Sequence, residues 1–496
     1  MSLLSFLSLP YSNWIVKRNK KWINNPLIFQ ERIFKELVRS AQNTAFGQDH
    51  SFDKIQSYDD YKKHVPVRDY EALKPYIERV IGGEQNVLWK GKPLYFTKTS
   101  GTTSGTKYIP ISKSSMPFHL KGAREALLSY INETKDTSFL KGKTIFIQGS
   151  PQLDYVNGIP TGRLSGIVAH HLPWYLKLNN LPSFKTNCIE DWEKKIDAIV
   201  DETINKPMSL ISGIPPWVQM YFEKINKRTG KTISEVFPNY SLFVFGGVNF
   251  KPYKNRFLEL TGKALPSVET YPSSEGFIAY QDSQKEEGLL LCVNHGIFFE
   301  FIEADQFFDE NRKRISLKDV ELGKNYVIIL NTNAGLWGYN IGDTLRFVST
   351  KPYRVVVSGR IKHFTSAFGE HVIGEEVEKA VQQTLESYPE VIIKEFHVAP
   401  QVNPSEGLPY HEWFIEFRSE PNSLEAFSKS LDGFMCSQNS YYDDLIKGNV
   451  LRSLVINKVS SGGFYNYMKS IGKLGGQNKP PRLSNNRKLA DGLTNF

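Results

Sequence analysis

The chain is organised as amphipathic segments separated by short apolar runs. Phe34, Leu37, Val38 and Ala41 recur at helical spacing, which predicts a helix over residues 27–46. Further predicted helices cover residues 123–132, 192–202, 217–228 and 253–261, and predicted strands cover residues 143–148, 209–212, 242–245 and 267–271. Because these strands and helices alternate along the chain, we expect an α/β fold with a largely parallel sheet.

The pattern changes to consecutive strands between residues 288 and 347. Apolar runs at residues 289–293, 298–302, 326–331 and 343–348 are separated by turn residues rather than by helices. This segment predicts a β-rich subdomain that completes a large N-terminal domain of residues 1–358.

A second, smaller domain is predicted for residues 359–496, after the sequence Ser358-Gly359-Arg360. Its predicted helices cover residues 374–388, 423–436 and 463–470, and its predicted strands cover residues 391–398, 413–417 and 454–459. This mixture indicates an α+β unit. The glycines and prolines between Gly475 and Arg482 predict a loop or an extended arm.

Chain length and composition support a globular protein of at least two domains. The 496 residues exceed one ordinary core, and no stretch reaches the roughly 18 apolar residues of a membrane span. The positive charges near the N-terminus follow the apolar residues, an order that argues against a secretory signal. The cysteines, Cys188, Cys292 and Cys436, are too widely spaced for a metal motif. We therefore expect a cytoplasmic protein.

The formal net charge of +9 is mostly dispersed among acidic residues, which predicts a solvated surface with some attraction for anionic small molecules. Residues 469–488 are the exception, because they contain several basic residues and no acid. A basic protein that binds polyanions through this segment is therefore one alternative. We otherwise expect neither a nucleic-acid nor a membrane partner.

The most informative stretch runs from Thr97 to Lys107 and has the sequence TKTSGTTSGTK. Glycines allow backbone N–H groups to approach an anion, hydroxyls donate hydrogen bonds and lysine adds positive charge, so this loop is suited to phosphate. It departs from the Walker pattern because Thr106 replaces a glycine and Tyr108 follows the lysine. No hydroxyl is therefore placed to hold magnesium, and its protein ligand is expected elsewhere.

Three further segments follow predicted strands. Glu275, within Tyr271-Pro272-Ser273-Ser274-Glu275-Gly276, could supply the oxygen ligand for magnesium. Asp343, within Tyr339-Asn340-Ile341-Gly342-Asp343, could accept both hydroxyls of a ribose. Phe245-Gly246-Gly247-Val248 would allow a flat ring to approach the backbone. Taken alone, the first two are equally compatible with solvated turns, and the third with the start of a helix.

The order of these segments resembles the adenylate-forming superfamily, which includes acyl-CoA synthetases, luciferases and nonribosomal adenylation domains. Its members carry a Thr/Ser/Gly-rich loop, a glycine pair, a Tyr…Glu segment, a Gly-Asp segment, a Gly-Arg hinge and a C-terminal lysine, and all six occur here in that order. The chain looks most like the auxin-responsive acyl-acid amido synthetases of plants and their bacterial relatives. The closer likeness rests on TSGTTSGTK, YPSSEG and the ending QNKPPR at Gln477–Arg482.

The resemblance implies a role for each matching position. The phosphate loop would hold the β- and γ-phosphates of ATP through Ser100, Gly101, Thr102, Thr103, Ser104, Gly105 and Lys107. Gly247 and Val248 would lie against the adenine, Tyr271 would stack near it, Ser274 would contact the α-phosphate and Glu275 would bind Mg²⁺. Asp343 and Arg360 would hold the ribose, Lys362 would occupy the hinge, and Lys479 would bridge the carboxylate and the α-phosphate. The loop lacks the Pro-Lys-Gly ending of acyl-CoA synthetases, so the alignment of Lys107 is open by a position or two.

By this resemblance the protein is expected to be a ligase of two domains, the smaller one mobile. It would adenylate a small carboxylic acid with ATP and Mg²⁺, release pyrophosphate, and then transfer the acyl group to an amino acid or another amine, releasing AMP. An acyl-CoA or aryl-CoA ligase is the nearest alternative because it shares the first step. We expect a monomer, and no motif identifies the acid, the amine or the base of the second step.

Overall fold

The computed structural model describes residues 3–100, 106–172, 174–189, 191–247, 250, 253–361, 372–402, 404–448, 450–473, 479–484 and 486–494. The chain divides into two compact units. The large unit comprises Met1–Ile341 and Arg346–Val356, and the small unit comprises Gly342–Leu345 and Val357–Phe496.

The large unit contains the helices α1 (Leu3–Ile23), α2 (Pro26–Ala41), α3 (Ala45–Asp49), α4 (Tyr58–His64), α5 (Tyr70–Ile81), α6 (Met116–Thr134), α7 (Leu164–His170), α8 (Trp174–Lys177), α9 (Phe184–Asn187), α10 (Trp192–Thr203), α11 (Pro215–Thr229), α12 (Ile233–Val236) and α13 (Lys254–Thr261). The small unit contains α14 (Gly374–Ser387), α15 (Leu424–Gln438), α16 (Ser440–Lys447), α17 (Gly463–Ser470) and α18 (Lys488–Leu493). Among the described residues, no helix is both long enough and apolar enough to cross a bilayer.

The strands of the large unit are β1 (Tyr95–Ser100), β2 (Thr106–Ile111), β3 (Lys143–Ile147), β4 (Asp154–Val156), β5 (Ile159–Gly162), β6 (Asn180–Leu181), β7 (Met208–Gly213), β8 (Leu242–Gly246), β9 (Ser267–Ser273), β10 (Gly276–Tyr280), β11 (Leu289–Leu291), β12 (Ile297–Glu303), β13 (Arg314–Ser316) and β14 (Asn325–Thr332). Strands β15 (Tyr339–Thr350) and β16 (Tyr353–Arg360) contribute residues to both units, and β17 (Ile392–Gln401), β18 (Tyr410–Ser419) and β19 (Val455–Val459) belong to the small unit.

The largest sheet has the strand order β13-β12-β14-β15-β16-β11-β10-β9-β8-β7-β3-β6. From β6 to β9 the neighbouring strands are parallel, and from β9 through β10 and β11 to β16 they are antiparallel. The predicted parallel sheet and the predicted β-rich segment are therefore two parts of one sheet. A second sheet has the order β2-β1-β5-β4.

Helices α10, α11 and α13 cover the parallel part of the large sheet. Ile199, Tyr221 and Phe257 from these helices are buried in one cluster with Ile211 of β7 and Phe243 of β8. Strands that are buried on both faces have short, continuous runs of apolar residues in the sequence, and these runs predicted them.

The segment predicted as one helix over residues 27–46 forms two helices. Helix α2 ends at Ala41, and the Thr44 side chain accepts a hydrogen bond from the Gly47 amide and caps α3. A threonine in this position satisfies a backbone donor at the start of a new helix, so the apolar periodicity continues while the helix does not. The prediction was right about the buried face, since Phe34, Leu37 and Ala41 are buried.

The small unit is built around a three-stranded sheet with the order β17-β18-β19. Strands β17 and β18 are antiparallel, and β18 and β19 are parallel. Val377 of α14, Phe427 of α15 and Trp413 of β18 are buried in its core. This is the α+β arrangement that the alternating elements predicted.

Candidate active site

Strands β1 and β2 bring the two ends of the hydroxyl-rich segment together. They pair with Ser100 opposite Thr106 and Thr99 opposite Lys107. Gly101, Thr102, Thr103, Ser104 and Gly105 lie outside the described residues, and Ser100 is described by its backbone alone. The predicted phosphate segment is therefore described at its two flanks.

The Lys107 side chain has an aromatic neighbour that sequence reasoning did not identify. Its ammonium nitrogen lies 5.4 Å from the centre of the Tyr70 ring, and the Tyr108 amide donates a hydrogen bond to the Tyr70 hydroxyl at 2.9 Å. Helix α5 thus supports the second strand of the hairpin at the lysine. No local pattern could indicate this contact, because Tyr70 and Lys107 lie in separate elements.

A second group of predicted residues lies where the parallel strands β8 and β9 end. Gly246 pairs with Thr270, and a Cβ atom at Gly246 would lie 2.4 Å from the Thr270 carbonyl oxygen. No side chain fits at that distance, so glycine is required for the two strands to approach here. Gly247 follows with φ of +78°, a conformation that favours glycine, and Val248 lies outside the described residues.

The next residues form the tight turn between β9 and β10. Gly276 pairs with Ser273, and the Ser273 hydroxyl donates a hydrogen bond to the Gly276 carbonyl at 3.2 Å. Ser274 and Glu275 occupy the turn, Ser274 buried and Glu275 half-buried. Tyr271, the last buried residue of β9, is 8% exposed. Glu275 thus follows β9, the strand that pairs with β8, and the glycine pair lies at the end of β8.

The donor set at this turn suits magnesium bound with a nucleotide. Glu275 offers hard carboxylate oxygens, which Mg²⁺ prefers, and phosphate oxygens and water complete its coordination in nucleotide sites. Among the residues that the structure describes, no group of three or more His, Cys, Asp or Glu side chains could hold a metal ion by itself.

In the small unit, the two residues predicted to hold a ribose are paired with each other. The Arg360 Nε atom lies 2.7 Å from the Asp343 Oδ1 atom. The strands that carry them are joined nearby, where the Ser358 hydroxyl donates to the Thr344 hydroxyl at 2.9 Å. The ion pair thereby fixes the orientation of the carboxylate. Lys362, the predicted hinge residue, lies outside the described residues.

The segment that carries Lys479 runs along β17. The His397 ring donates from Nδ1 to the Pro481 carbonyl at 2.6 Å, and the Val398 amide donates to the Arg482 carbonyl at 2.9 Å. Val398 and Leu483 form a parallel bridge. The described end of the predicted arm, residues 479–482, is thus held against β17 by hydrogen bonds to the carbonyls of Pro481 and Arg482.

The Arg482 side chain fixes the same arm through charge. Its guanidinium group forms an ion pair with Glu395 and lies 4.4 Å from the centre of the Phe396 ring. A guanidinium held against a carboxylate and an aromatic face is restricted in orientation. Sequence reasoning quoted Arg482 as part of the family ending without giving it this role.

Lys479 itself is half-buried within the small unit. Burial lowers the pKa of its ammonium group to about 7, and repulsion from the Arg360 guanidinium adds to this shift. A lysine with such a pKa gains its proton readily when an anion approaches. Its environment is therefore suited to a transient interaction with developing negative charge.

Family models match most of the chain. The GH3 family N-terminal domain matches residues 16–190, the GH3 family central domain matches residues 290–360, and the GH3 family C-terminal domain matches residues 375–488. These segments contain the predicted phosphate loop, the ribose pair and the Lys479 arm.

Curated relatives are plant amido synthetases of low identity. Jasmonoyl-L-amino acid synthetase JAR6 of Nicotiana attenuata is 21% identical, over 91% of this chain and 90% of that protein. Indole-3-acetic acid-amido synthetase GH3.3 of Arabidopsis thaliana is 22% identical, over 91% of this chain and 88% of that protein. The alignment with jasmonoyl-L-amino acid synthetase JAR4 of Nicotiana attenuata is shorter, with 20% identity over 64% of this chain and 66% of that protein.

Solved structures share the fold. The GH3.15 acyl acid amido synthetase superposes with a TM-score of 0.80 at 16% identity, covering 97% of this chain and 95% of that one. A 2-hydroxyisobutyryl-CoA ligase in the postadenylation state superposes with a TM-score of 0.57 at 12% identity, covering 94% and 90% of the two chains. The fold is that of adenylate-forming ligases.

Proposed function

This chain belongs to the GH3 family, and on that premise we propose that it is an ATP-dependent acyl-acid amido synthetase. It activates a carboxylic acid as an acyl-adenylate and then joins the acyl group to an amino acid or another amine. The observation that carries the proposal is the edge of the parallel sheet, where Gly246 ends β8 and the paired strand β9 leads into the turn with Ser274 and Glu275. Ligands of open α/β sheets bind at this edge.

We assign the residues of the large unit to the nucleotide. The segment from Ser100 to Lys107 holds the β- and γ-phosphates, and Gly247 and Val248 lie against the adenine. Tyr271 stacks near the base, and Ser274 contacts the α-phosphate. Glu275 binds Mg²⁺, which when present neutralises charge on the phosphate oxygens.

We assign the ion pair of the small unit to the ribose of the same nucleotide. The Asp343 carboxylate, which pairs with Arg360, accepts hydrogen bonds from the two ribose hydroxyls. Arg360 orients the carboxylate for that purpose.

Lys479 is the proposed catalytic residue of the first step. A carboxylate oxygen of the acid attacks the α-phosphorus, the bond from that phosphorus to the β-phosphate oxygen breaks, and pyrophosphate leaves. Negative charge accumulates on the α-phosphoryl oxygens, and the Lys479 ammonium stabilises it while orienting the carboxylate. The hydrogen bonds of the arm along β17 hold the lysine for this role.

In the second step a neutral amine attacks the acyl carbon, the bond to the AMP oxygen breaks, and the nitrogen releases a proton. The products are the amide and AMP. The energy of ATP is thus used to replace an oxide leaving group by AMP, which departs readily. The acids and amines in the relatives' names describe those relatives and are not assigned to this chain. The substrates proposed here are a small carboxylic acid and an amino acid or another amine.

The polyanion-binding alternative is weakened by the environment of the basic tail. Arg482 is paired with Glu395, and Arg487 is paired with Glu412 and Asp491. Charges that hold the tail to its own unit are less available to a polyanion. We further propose that the protein acts as a monomer in the cytoplasm and uses no nucleic acid.

The proposal is tested by product analysis with purified protein. Pyrophosphate release is measured with Mg·ATP across aryl, indole and fatty acids, and mass spectrometry identifies the products formed with amino acids or with CoA. We expect acid-dependent pyrophosphate release and an amide product. Formation of an acyl-CoA thioester instead would support the ligase alternative, and failure to bind millimolar ATP would refute both.

A further inference from the structure

Helix α1 exposes several of its large apolar side chains. Phe6, Leu7, Tyr11 and Trp14 are 65%, 53%, 41% and 55% exposed. Helix geometry places Leu7, Tyr11 and Trp14 on one stripe, because they are spaced four and three residues apart. The Tyr11 and Trp14 rings stack with their centres 5.9 Å apart, so the stripe is a continuous surface.

The opposite face of α1, which packs against α6, is more polar than a typical core-facing helix surface. Its buried residues are Ser5, Ser12, Ile15, Asn19 and Trp22. The Ser12 hydroxyl is satisfied by donating to the Leu9 carbonyl of its own helix at 2.8 Å. A helix of a globular protein normally turns its apolar stripe to the core. In α1 apolar side chains lie on both faces, since Ile15 and Trp22 are buried, and large exposed apolar stripes of this kind are typical of interaction surfaces.

The charge of the same helix defines the chemistry of that partner. Exposed Lys17, Arg18, Lys20 and Lys21 follow the apolar stripe, and none of the first 30 residues is acidic. The Arg18 guanidinium lies 5.6 Å from the centre of the Trp14 ring, so the basic and apolar parts adjoin. A second copy of this chain would bring these like charges close to one another. An anionic partner is therefore favoured.

We propose that the exposed face of α1 binds the surface of an anionic lipid bilayer. The 21-residue helix, about 30 Å long, would lie in the plane of the interface with Phe6, Leu7 and Trp14 among the upper acyl chains. Lys17, Arg18, Lys20 and Lys21 would contact lipid phosphates, and the amphipathic Tyr11 and Trp14 rings suit the headgroup region. The inference is independent of the proposed enzymatic function and revises the expectation of no membrane partner.

Vesicle flotation of the full chain tests the proposal. We expect the protein to float with vesicles of phosphatidylcholine and phosphatidylglycerol, to bind pure phosphatidylcholine at least tenfold more weakly, and to be released by salt. The double variant Leu7→Ser/Trp14→Ser should lose binding. Its matched control is Leu178→Ser/Phe308→Ser, which alters two side chains that are 67% and 62% exposed outside α1.

A second pair of variants tests the charges. Lys20→Gln/Lys21→Gln should weaken binding to anionic vesicles on the order of tenfold. Lys185→Gln/Lys194→Gln, at exposed positions outside α1, should leave binding unchanged. Pyrophosphate release and the unfolding midpoint, measured for every variant, establish that the fold is retained.

Four outcomes would overturn the proposal. The wild-type protein could fail to float with anionic vesicles, or the control variants could lose as much binding as the α1 variants. Sedimentation equilibrium could instead reveal a dimer that Leu7→Ser/Trp14→Ser dissociates, in which case a second copy covers this face. A protein partner would likewise be indicated if the α1 variants abolished a protein complex but left vesicle binding intact.

Discussion

The large and small units position their proposed ATP-binding residues by different physical means. In the large unit the main chain positions these residues. Gly246 lies against Thr270 without room for a side chain, and Glu275 lies in the turn after the neighbouring strand. In the small unit the positioning is done by two ion pairs, one between Asp343 and Arg360 and the other between Glu395 and Arg482. Substitutions in the first region should therefore change shape and stability, and substitutions in the second should change chemistry more than folding.

The largest effect is expected at the small unit's lysine. Lys479→Ala should lower the rate of adenylation on the order of 10²–10³-fold, because the developing charge on the α-phosphate loses its cation. Since the wild-type lysine is destabilised by burial, the free energy of unfolding should not fall. Pyrophosphate release and chemical denaturation measure the two effects. The control, Lys473→Ala, alters an exposed lysine of the same tail and should retain activity.

Glu275→Gln should lower adenylation on the order of 10²-fold, because the amide is a poor ligand for Mg²⁺. Raising the Mg²⁺ concentration should recover part of the rate, which a purely structural role would not predict. The comparison variant is Glu286→Gln, an exposed position in the same unit. An unchanged magnesium dependence in the Glu275 variant would argue against its role as a ligand.

Gly246→Ala should lower the free energy of unfolding by about 1–3 kcal/mol, because its Cβ atom would displace the Thr270 carbonyl. ATP affinity should fall with it if the strand edge forms the adenine site. Gly433→Ala is the matched control, since Gly433 lies in helix α15 and a Cβ there meets no atom within 4 Å. That substitution should instead stabilise the protein by about 0.5–1 kcal/mol. Equal effects of the two variants would show that close strand contact is not what requires Gly246.

The smallest effect concerns pH. Because burial lowers the pKa of Lys479 to about 7 from its ordinary 10.5, kcat/KM for ATP should fall as pH rises through about 7, by at most tenfold per pH unit. The decrease in kcat should occur at a higher pH than the decrease in kcat/KM, because bound phosphate favours the ammonium form of Lys479. The free energy of unfolding should change in the opposite direction. Between pH 7 and 10.5 the unfolded chain binds more protons than the folded chain, so the destabilisation caused by burying the Lys479 ammonium decreases as pH rises through that window. A pH profile of Lys479→Arg that matches the wild type would assign the titration to another group.

Local patterns predicted the core elements of the fold well. Helices α10, α11 and α17 and strands β3, β8 and β14 lie within a few residues of their predicted bounds, because apolar periodicity and short apolar runs directly reflect burial. Helix α1 was missed because several of its apolar residues, among them Phe6, Leu7 and Trp14, face outward, so its pattern does not resemble that of a core-facing helix. The break after α2 was missed because a single cap residue, Thr44, decides it.

In the candidate site, too, the sequence predicted some features and not others. The motifs named Glu275, Asp343, Arg360 and Lys479 from residue type and order along the chain, and their roles stay predictions. The ion pair between Asp343 and Arg360 and the hydrogen bond from His397 to Pro481 were not predictable. Each joins segments that are distant in sequence, and no local preference records such a contact.

By itself the sequence determined the GH3 family and the alternation of helices and strands, because glycines, hydroxyls, charged residues and apolar spacing act over a few neighbouring positions. Only the tertiary structure decided that Gly246 lies against Thr270, that β17 holds the arm of Lys479, and that α1 turns its aromatic face to solvent. These features are contacts and exposures set by segments that are distant in sequence. They depend on which surfaces pack together once the whole chain has folded.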